Sequence, residues 1–410
     1  MSWAVILFGP SGDVNSAAAD QNHHHLPVIR LFASQLPWPD IRDYESATAP
    51  LWHIALAIPA RLGASDVLLR LLTALSGGIL VLVVAMGARR FSLGQATALM
   101  ALPLALNPYV LYSSMWITTD VPALTAVALA MLSCYASRRW SGIPLAIAVA
   151  IRQTSVWALP ALAVLSAQRS RERGGTAKAV LLSQGLALLP AVVMLGLLAF
   201  QWQGLMPPRY RIIHDRGLNL ATPAFSLAMV AMWGVPLLAC AWSELARLPR
   251  AAVVVAGAVG LTLALSVPTS VNFDAGRWSG PIWTIADQLP VVLERSLLIT
   301  ALAPIGAISL LILVSRAIQA GQGLAGVTLG LGVIGMIAVN SVNTQCWERY
   351  ADPPLLLLLP WLASVGIPGS SIRSRTQLVR GVVILSIAQL LMSATMIAVP
   401  IARGVLIPPN

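Results

Sequence analysis

Residues 66–87 read DVLLRLLTALSGGILVLVVAMG and are followed, after Ala88, by the basic pair Arg89-Arg90. The run is apolar except for a few polar residues, and its charges, Asp66 and Arg70, lie near its start. A helix that crosses a bilayer needs about 20 predominantly apolar residues, so this run predicts a transmembrane helix. Comparable apolar runs recur at roughly 93–112, 121–137, 180–201, 223–244, 251–268, 296–314, 323–340, 354–369 and 381–402.

The composition extends this prediction to the whole chain. Hydrophobic residues make up 57% of the 410 residues and charged residues only 10%, whereas ordinary soluble domains carry about 25% charged residues. A soluble fold of this length needs far more charge to cover its surface. We therefore expect one all-α integral membrane domain over residues 1–410, a polytopic bundle of about 11–13 transmembrane helices.

The net charge of +11 is distributed as membrane topology predicts. Arginines cluster in alternate loops, and the positive-inside rule places those loops in the cytoplasm. Nearly all carboxylates fall in the other set of loops, so we expect an extracytoplasmic site. Because the basic residues follow membrane topology, we expect membrane lipids as partners and no nucleic acid. The basic clusters are Arg89-Arg90, Arg138-Arg139, 169–178, 247–250, Arg316 and 373–380.

Three segments interrupt this regular pattern. Residues 10–65 form a long first extracytoplasmic loop, in which Pro27–Leu36 has the apolar spacing of an interfacial helix. Residues 142–167 run between two basic loops but are too short for two crossings, which predicts a short helical hairpin with Arg152 near its tip. The apolar stretch at residues 3–8 is too short to span and suggests a short first helix.

Several classes of site are missing from the sequence. It contains no Walker A motif, no glycine-rich dinucleotide fingerprint and no Asp-x-Asp pair, and Lys178 is its one lysine. A nucleotide-using enzyme is therefore not expected. The three cysteines, Cys134, Cys240 and Cys346, suggest no disulfide framework.

The polar motifs each allow a functional and a structural interpretation. Asp20 precedes three histidines, where a carboxylate could accept a proton from a hydroxyl nucleophile, but the same cluster suits a solvated turn. A metal site on these adjacent histidines is the weaker alternative. Asp120 is placed either as a site residue or as a plain helix cap. The arginines and tryptophans of the later loops could bind phosphate oxygens and sugar, or belong to the aromatic belt at the membrane interface.

Taken in order, these motifs resemble a known family, the eukaryotic dolichyl-phosphate-glucose α-1,2-glucosyltransferases of GT-C fold. The matching pieces are Asp20 before HHLP (24–27), TAP (48–50), TDV (119–121), RQTSVW (152–157) and ERY (348–350). RQTSVW is the most specific of them. The chain departs from the family pattern at Gln21, where the family has a second acid, and at Ser155, where it has asparagine.

The resemblance implies an inverting transfer of a hexose, glucose in the family, from a polyprenyl-phosphate donor to a hydroxyl of a lipid-linked or other glycan. It implies Asp20 as the catalytic base and no cofactor, with a divalent cation as the alternative left open. The alanine-rich, lysine-poor composition favours a bacterial plasma membrane protein. The residues that the resemblance and the loops together assign to substrate binding are His24, His25, Asp120, Arg152, Gln153, His214, Arg277, Glu348, Arg349 and Tyr350.

Other functions stay open at this point. A membrane transporter would also place polar residues among apolar helices, although it commonly carries an internal repeat, and we see none. A ligase or mannosyltransferase that uses a lipid carrier would share the external base and arginines. A relative without activity is a further alternative, because Gln21 replaces the second acid.

Overall fold

The computed structural model describes residues 16–92, 98–136, 140–212, 217–238, 245–367 and 372–402. These residues are mostly helical, with connecting loops and one two-stranded antiparallel hairpin. Outside the described residues lie the apolar stretch at 3–8, the pair Arg138-Arg139, His214 and Cys240. The expectations for them stay predictions.

The α-helices range from 4 to 31 residues in length. The α-helices are α1 Ser16–Asp20, α2 Leu26–Gln35, α3 Leu51–Arg61, α4 Asp66–Phe91, α5 Leu102–Ala105, α6 Pro108–Met115, α7 Asp120–Tyr135, α8 Gly142–Ile151, α9 Leu159–Glu172, α10 Ala177–Trp202, α11 Thr222–Leu238, α12 Arg250–Ser266, α13 Pro281–Asp287, α14 Leu297–Gln319, α15 Gly323–Ser341, α16 Glu348–Val365 and α17 Ile372–Ala402. A π-helix spans Gln21–His25, and 3₁₀ turns span Ala98–Ala101, Gln153–Ala158 and Pro208–Ile212. The strands are β1 Val291–Val292 and β2 Arg295–Ser296.

Five of the described helices are long and apolar enough to cross a membrane: α4, α10, α14, α15 and the 374–396 part of α17. The pair α6 and α7 also passes the same test as one span, bent by 112°. Helices α8, α11 and α12 are apolar but shorter. The prediction of an all-α integral membrane protein is confirmed, whereas the total of 11–13 crossings stays a prediction.

Local sequence explains where several helices begin. The Ser65 hydroxyl accepts a hydrogen bond from the backbone N–H of Leu68 and caps α4. The apolar run at 93–112 was expected to be one continuous span, but its described part is broken into short pieces. Pro103 and Pro108 each stand in the first turn of a new helix, because proline is tolerated there but interrupts a helix interior.

Small residues let the membrane helices approach closely. A Cβ atom at Gly306 of α14 would overlap the backbone carbonyl of Leu227 in α11, and one at Gly260 of α12 would lie 2.6 Å from the carbonyl oxygen of Ala303. Close backbone approach at small residues is the usual basis of helix packing in lipid, where apolar burial between helices contributes little.

Helices α4 and α16 pack side by side and point the same way. The indole Nε1 of Trp361 donates a 2.8 Å hydrogen bond to the carbonyl oxygen of Val84, so the C-terminal parts of the two helices lie together. Glu348, at the start of α16, is therefore about 20 Å farther along the bundle, from a rise of about 1.5 Å per residue. The first turn of α16 and the Arg89-Arg90 end of α4 thus lie at opposite ends of the bundle.

The predicted interfacial helix in the first loop exists as α2, but its apolar face packs on protein. Ile29 and Phe32 are fully buried, and the Phe32 ring meets that of Tyr44 edge to face at 5.3 Å. The amphipathic spacing that we expected to face lipid is equally satisfied by helix α3, against which α2 packs.

Candidate active site

A cavity of about 380 Å³ opens among the ends of α1, α6, α7 and α16 and the turn after α8. Its wall combines charged, aromatic and apolar side chains. The lining residues used below are Asp20, Tyr109, Asp120, Val121, Leu124, Val127, Arg152, Tyr210, Trp278, Trp347, Arg349 and Tyr350. A cavity of this size with a few convergent polar groups is the usual form of a small-molecule site.

Asp20 and Arg349 form an ion pair across this cavity, although they come from nearly opposite ends of the chain. The distance from Arg349 Nη1 to Asp20 Oδ2 is 2.8 Å. The Asp20 side chain is 33% exposed and that of Arg349 is 26% exposed, so a ligand can reach both. The buried Nε of Arg349 has no hydrogen-bond partner, which leaves part of the guanidinium uncommitted.

Asp120 and Arg152 form a second ion pair in the same cavity. Arg152 Nη1 lies 2.5 Å from Asp120 Oδ1, and the two side chains are 17% and 29% exposed respectively. Asp120 is the first residue of α7, and Arg152 has an extended backbone (φ −148°, ψ 109°) between α8 and the next 3₁₀ turn. The break between the two helical segments therefore directs the guanidinium into the cavity.

The ring of Tyr350 is in contact range of both guanidinium groups. The Cζ atoms of Arg152 and Arg349 are each 5.3 Å from its centroid, within the range of cation–π attraction. The two cations can therefore be no farther apart than about twice this distance. Trp347 adds a second aromatic face 4.8 Å from the guanidinium of Arg349.

Gln21 holds the segment that carries Asp20, and the sequence did not reveal this. The side chain is fully buried, and its Oε1 accepts hydrogen bonds from Arg70 Nε at 3.0 Å and from the backbone N–H of Ile117 at 3.1 Å. Asp20 lines the cavity, whereas Gln21 does not. An acidic side chain at position 21, as in the family pattern, would thus point at the buried Arg70 and away from the Asp20–Arg349 ion pair.

His24 and His25 lie behind the cavity wall. His25 Nδ1 and His53 Nε2 are 2.9 Å apart, and both rings are buried. Burial, with smaller contributions from His24 and the two cavity arginines, lowers the pKa of His25 to about 3. The buried histidine pair is therefore neutral at pH 7 and joins the π-helix to α3. His24 contacts the ring of Tyr210 edge to face at 5.4 Å.

Two more of the predicted residues have structural partners. The Gln153 amide donates to the carbonyl oxygens of Ala47 and Leu205, at 2.7 and 2.8 Å, and ties three loops together. Glu348 is fully buried, and its carboxylate accepts the backbone N–H of Ile282 at 2.8 Å. Neither side chain is part of the described cavity lining.

Glu348 instead fixes a neighbouring part of the wall. The Ile282 N–H from which it accepts lies in the first turn of α13, where a backbone N–H has no partner within the helix. Gly280, just before this turn, has φ +128°, and a Cβ atom there would lie 2.5 Å from the Glu348 carboxylate. Glycine at this position lets the wall segment that begins at Trp278 close against α16.

Arg277 belongs to a different cavity. Its Nε donates to the carbonyl oxygen of Ser270 at 2.8 Å, and with Asp274, Asn219 and Gln345 it lines a separate space of about 390 Å³. Trp278, the next residue, lines the first cavity. Adjacent residues of this loop thus face different cavities, and Arg277 is not beside Asp20.

Two tyrosines join the cavity without having been predicted. Tyr109 follows the Asn107 cap of α6, and Tyr210 lies in the 3₁₀ turn at 208–212. Burial, together with the nearby Asp20 carboxylate, raises the pKa of Tyr210 to about 12, so its hydroxyl is a hydrogen-bond donor at neutral pH. Among the described residues, no three histidine, cysteine or acidic side chains are placed to hold a metal ion.

Comparisons with known proteins add the following. No protein-family model matches the chain, and no curated protein matches it. Two solved structures of ArnT from Cupriavidus metallidurans align with it. The apo structure covers 84% of this chain and 73% of its own, with 16% identity and a TM-score of 0.34. The structure bound to undecaprenyl phosphate covers 89% of this chain and 75% of its own, with 16% identity and a TM-score of 0.39.

Proposed function

We propose that the chain is a GT-C-type glycosyltransferase that moves a hexose from a polyprenyl-phosphate donor to a hydroxyl of a lipid-linked or other glycan. The observation that carries the proposal is the pairing of a carboxylate, Asp20, with a guanidinium, Arg349, in a cavity at one end of a membrane-helix bundle. A base and a phosphate-binding cation are the two groups that this reaction needs side by side.

Asp20 is the proposed base. The acceptor hydroxyl oxygen attacks the anomeric carbon while the bond from that carbon to the phosphate oxygen breaks, and Asp20 takes the hydroxyl proton. One displacement inverts the anomeric centre, so no covalent sugar–enzyme intermediate and no second carboxylate nucleophile are required. This chemistry agrees with a site in which Gln21 replaces the second acid and faces elsewhere.

Arg349 and Arg152 are the proposed phosphate ligands. The leaving polyprenyl phosphate gains negative charge in the transition state, and preorganised guanidinium groups stabilise it through charge-assisted hydrogen bonds. The N-terminal ends of α7 and α16, which carry Asp120 and Glu348, add the positive ends of two helix dipoles. Loss of one such contact is expected to raise the barrier by about 2–4 kcal/mol.

The remaining cavity wall suits a lipid-borne donor. Val121, Leu124 and Val127 present an apolar strip of α7 beside the ion pairs, as a prenyl chain next to its phosphate would require. The cavity also lies at the end of the bundle opposite Arg89-Arg90, which supports an extracytoplasmic site under the positive-inside rule. A bacterial plasma membrane and glucose as the sugar are further parts of the proposal.

The test is transfer of radiolabelled sugar from polyprenyl-phosphate glucose by the purified protein in lipid nanodiscs. Asp20→Asn should abolish transfer while the protein stays folded by gel filtration. Asp40→Asn is the matched control, because Asp40 pairs with Arg42 in the first loop at 2.6 Å and does not line the cavity. Equal transfer by wild type and Asp20→Asn would remove Asp20 from the mechanism, and no transfer by folded wild type from any polyprenyl-phosphate sugar would refute the proposed function.

A transporter is the second candidate, and one observation favours it. The span formed by α6 and α7 is bent by 112° at its break, and discontinuous helices commonly form the substrate sites of transporters. Proteoliposomes separate the two candidates. A transporter accumulates labelled solute without chemical change, whereas the transferase consumes the labelled donor and yields free polyprenyl phosphate.

A further inference from the structure

The charged groups of the cavity cancel in pairs. The described lining contains two aspartates and two arginines, Asp20 with Arg349 and Asp120 with Arg152. In each pair a carboxylate oxygen contacts a guanidinium nitrogen, Nη1, at the cavity wall. The carboxylates are therefore bound where an anionic ligand would bind.

The two arginines are also close enough to act on one ligand. Their guanidinium carbons are each 5.3 Å from the centroid of the Tyr350 ring, and each guanidinium retains donors beyond its ion pair. Arg349 Nε has no partner, and Arg152 Nε makes only a 3.3 Å contact with the Thr154 hydroxyl. A phosphate group accepts hydrogen bonds from guanidinium forks of this kind through its terminal oxygens.

A phosphate can take the Nη1 groups of Arg349 and Arg152 only if the carboxylates that now pair with them move away. Its charge would also be repelled by the two aspartates, which lie within a few ångströms of the same guanidinium groups, in a site where only part of that repulsion is screened. Binding of phosphate at either Nη1 group therefore requires that ion pair to open. The opened pair exposes a carboxylate oxygen that was engaged before.

We propose that Asp20 and Asp120 are internal competitors of the donor phosphate, and that phosphate capture by Arg349 releases Asp20 to accept the acceptor proton. This inference rests on the proposed function and adds an order of events to it. The base is engaged while the cavity is empty and free once the donor is bound. Donor binding thus precedes productive acceptor binding.

The direct test is the affinity for a phosphate probe that carries no sugar. Binding of farnesyl phosphate is measured by isothermal titration calorimetry on the full-length protein in nanodiscs, with farnesol as the uncharged control ligand. Asp20→Asn keeps the shape of the side chain and removes the competing charge, so we expect the Kd to fall about tenfold. Asp120→Asn should act in the same direction, and Asp40→Asn should leave the Kd unchanged.

A double-mutant cycle shows whether the effect passes through Arg349. Arg349→Gln alone should weaken binding of farnesyl phosphate. If Asp20 competes for this guanidinium, Asp20→Asn gives little or no gain in the Arg349→Gln background. A full tenfold gain in that background would mean a general field effect and would overturn the proposed exchange.

The binding results and the sugar-transfer results distinguish failure of the competition from failure of the proposed transferase function. An unchanged or higher Kd in both folded variants, Asp20→Asn and Asp120→Asn, overturns the competition, even if Asp20→Asn still abolishes sugar transfer and so supports the transferase. Failure of wild type and both variants to bind farnesyl phosphate better than farnesol overturns the competition and removes the phosphate site itself.

Discussion

Replacement of Gln21 by leucine tests how the π-helix beside Asp20 is held. Leucine has nearly the same volume, but it removes the oxygen that accepts from Arg70 Nε and from the Ile117 N–H. Gln21 is fully buried, so neither donor gains water at that position. An unpaired buried donor costs about 1–3 kcal/mol, and more when it is charged. We expect Gln21→Leu to lower the free energy of unfolding by about 3–5 kcal/mol.

The assay is unfolding by SDS in mixed micelles, followed by tryptophan fluorescence. Gln21→Glu is the matched variant, because it keeps the acceptor oxygen and adds attraction to Arg70, so its stability should equal or exceed that of wild type at pH 7. It should not restore transfer to Asp20→Asn, since the side chain at position 21 faces away from the cavity. If Gln21→Leu unfolds at the same SDS fraction as wild type, the two hydrogen bonds do not hold this segment and the reasoning fails.

Three further predictions concern folding and stability, and the first and third use the same unfolding assay. Asn107→Ala removes a 2.7 Å hydrogen bond to the buried Asp352 carboxylate and also removes the cap of α6. It should lower the free energy of unfolding by about 3 kcal/mol. A variant as stable as wild type would contradict this prediction. Gly306→Ala should prevent correct packing of α14 on α11, whereas Gly78→Ala, with open space around it, should be tolerated; equal yields of both folded proteins would refute the contact. The buried histidine pair has pKa values below those of free histidine, so the unfolded chain binds more protons than the folded one below about pH 6.5. The free energy of unfolding should therefore fall between pH 6.5 and pH 5. Each histidine contributes up to about 1.4 kcal/mol per pH unit. Its replacement by a phenylalanine pair should flatten this pH dependence.

The sequence predicted the helices better than the directions of their side chains. Hydropathy located α4, α10, α14 and α15 closely, because a bilayer crossing demands a long uninterrupted apolar run. It missed the breaks within 93–112, since the apolar pattern continues across Pro103 and Pro108 while the helix does not. Length and composition cannot show where a chain of short helices turns.

The same limit applied within the site. Glu348 and Arg349 are neighbours in sequence, but successive residues of a helix point about 100° apart, so one is buried against α13 and the other faces the cavity. Arg277 and Arg349 are both arginines in segments that we expected to be extracytoplasmic. The turn at 272–277 nevertheless directs Arg277 into the second cavity. The spacing of motifs could place these residues at one end of the bundle, but only long-range contacts decide which cavity each one enters.

The pairing of Asp20 with Arg349 has a consequence for biosynthesis. The two residues are 329 positions apart, so most of the polypeptide must leave the ribosome and α16 must be inserted before the pair can form. A chain released early, with α16 missing, carries the carboxylate without this cation. We therefore expect the cavity to gain this ion pair only late in membrane insertion, after α16 has joined the bundle.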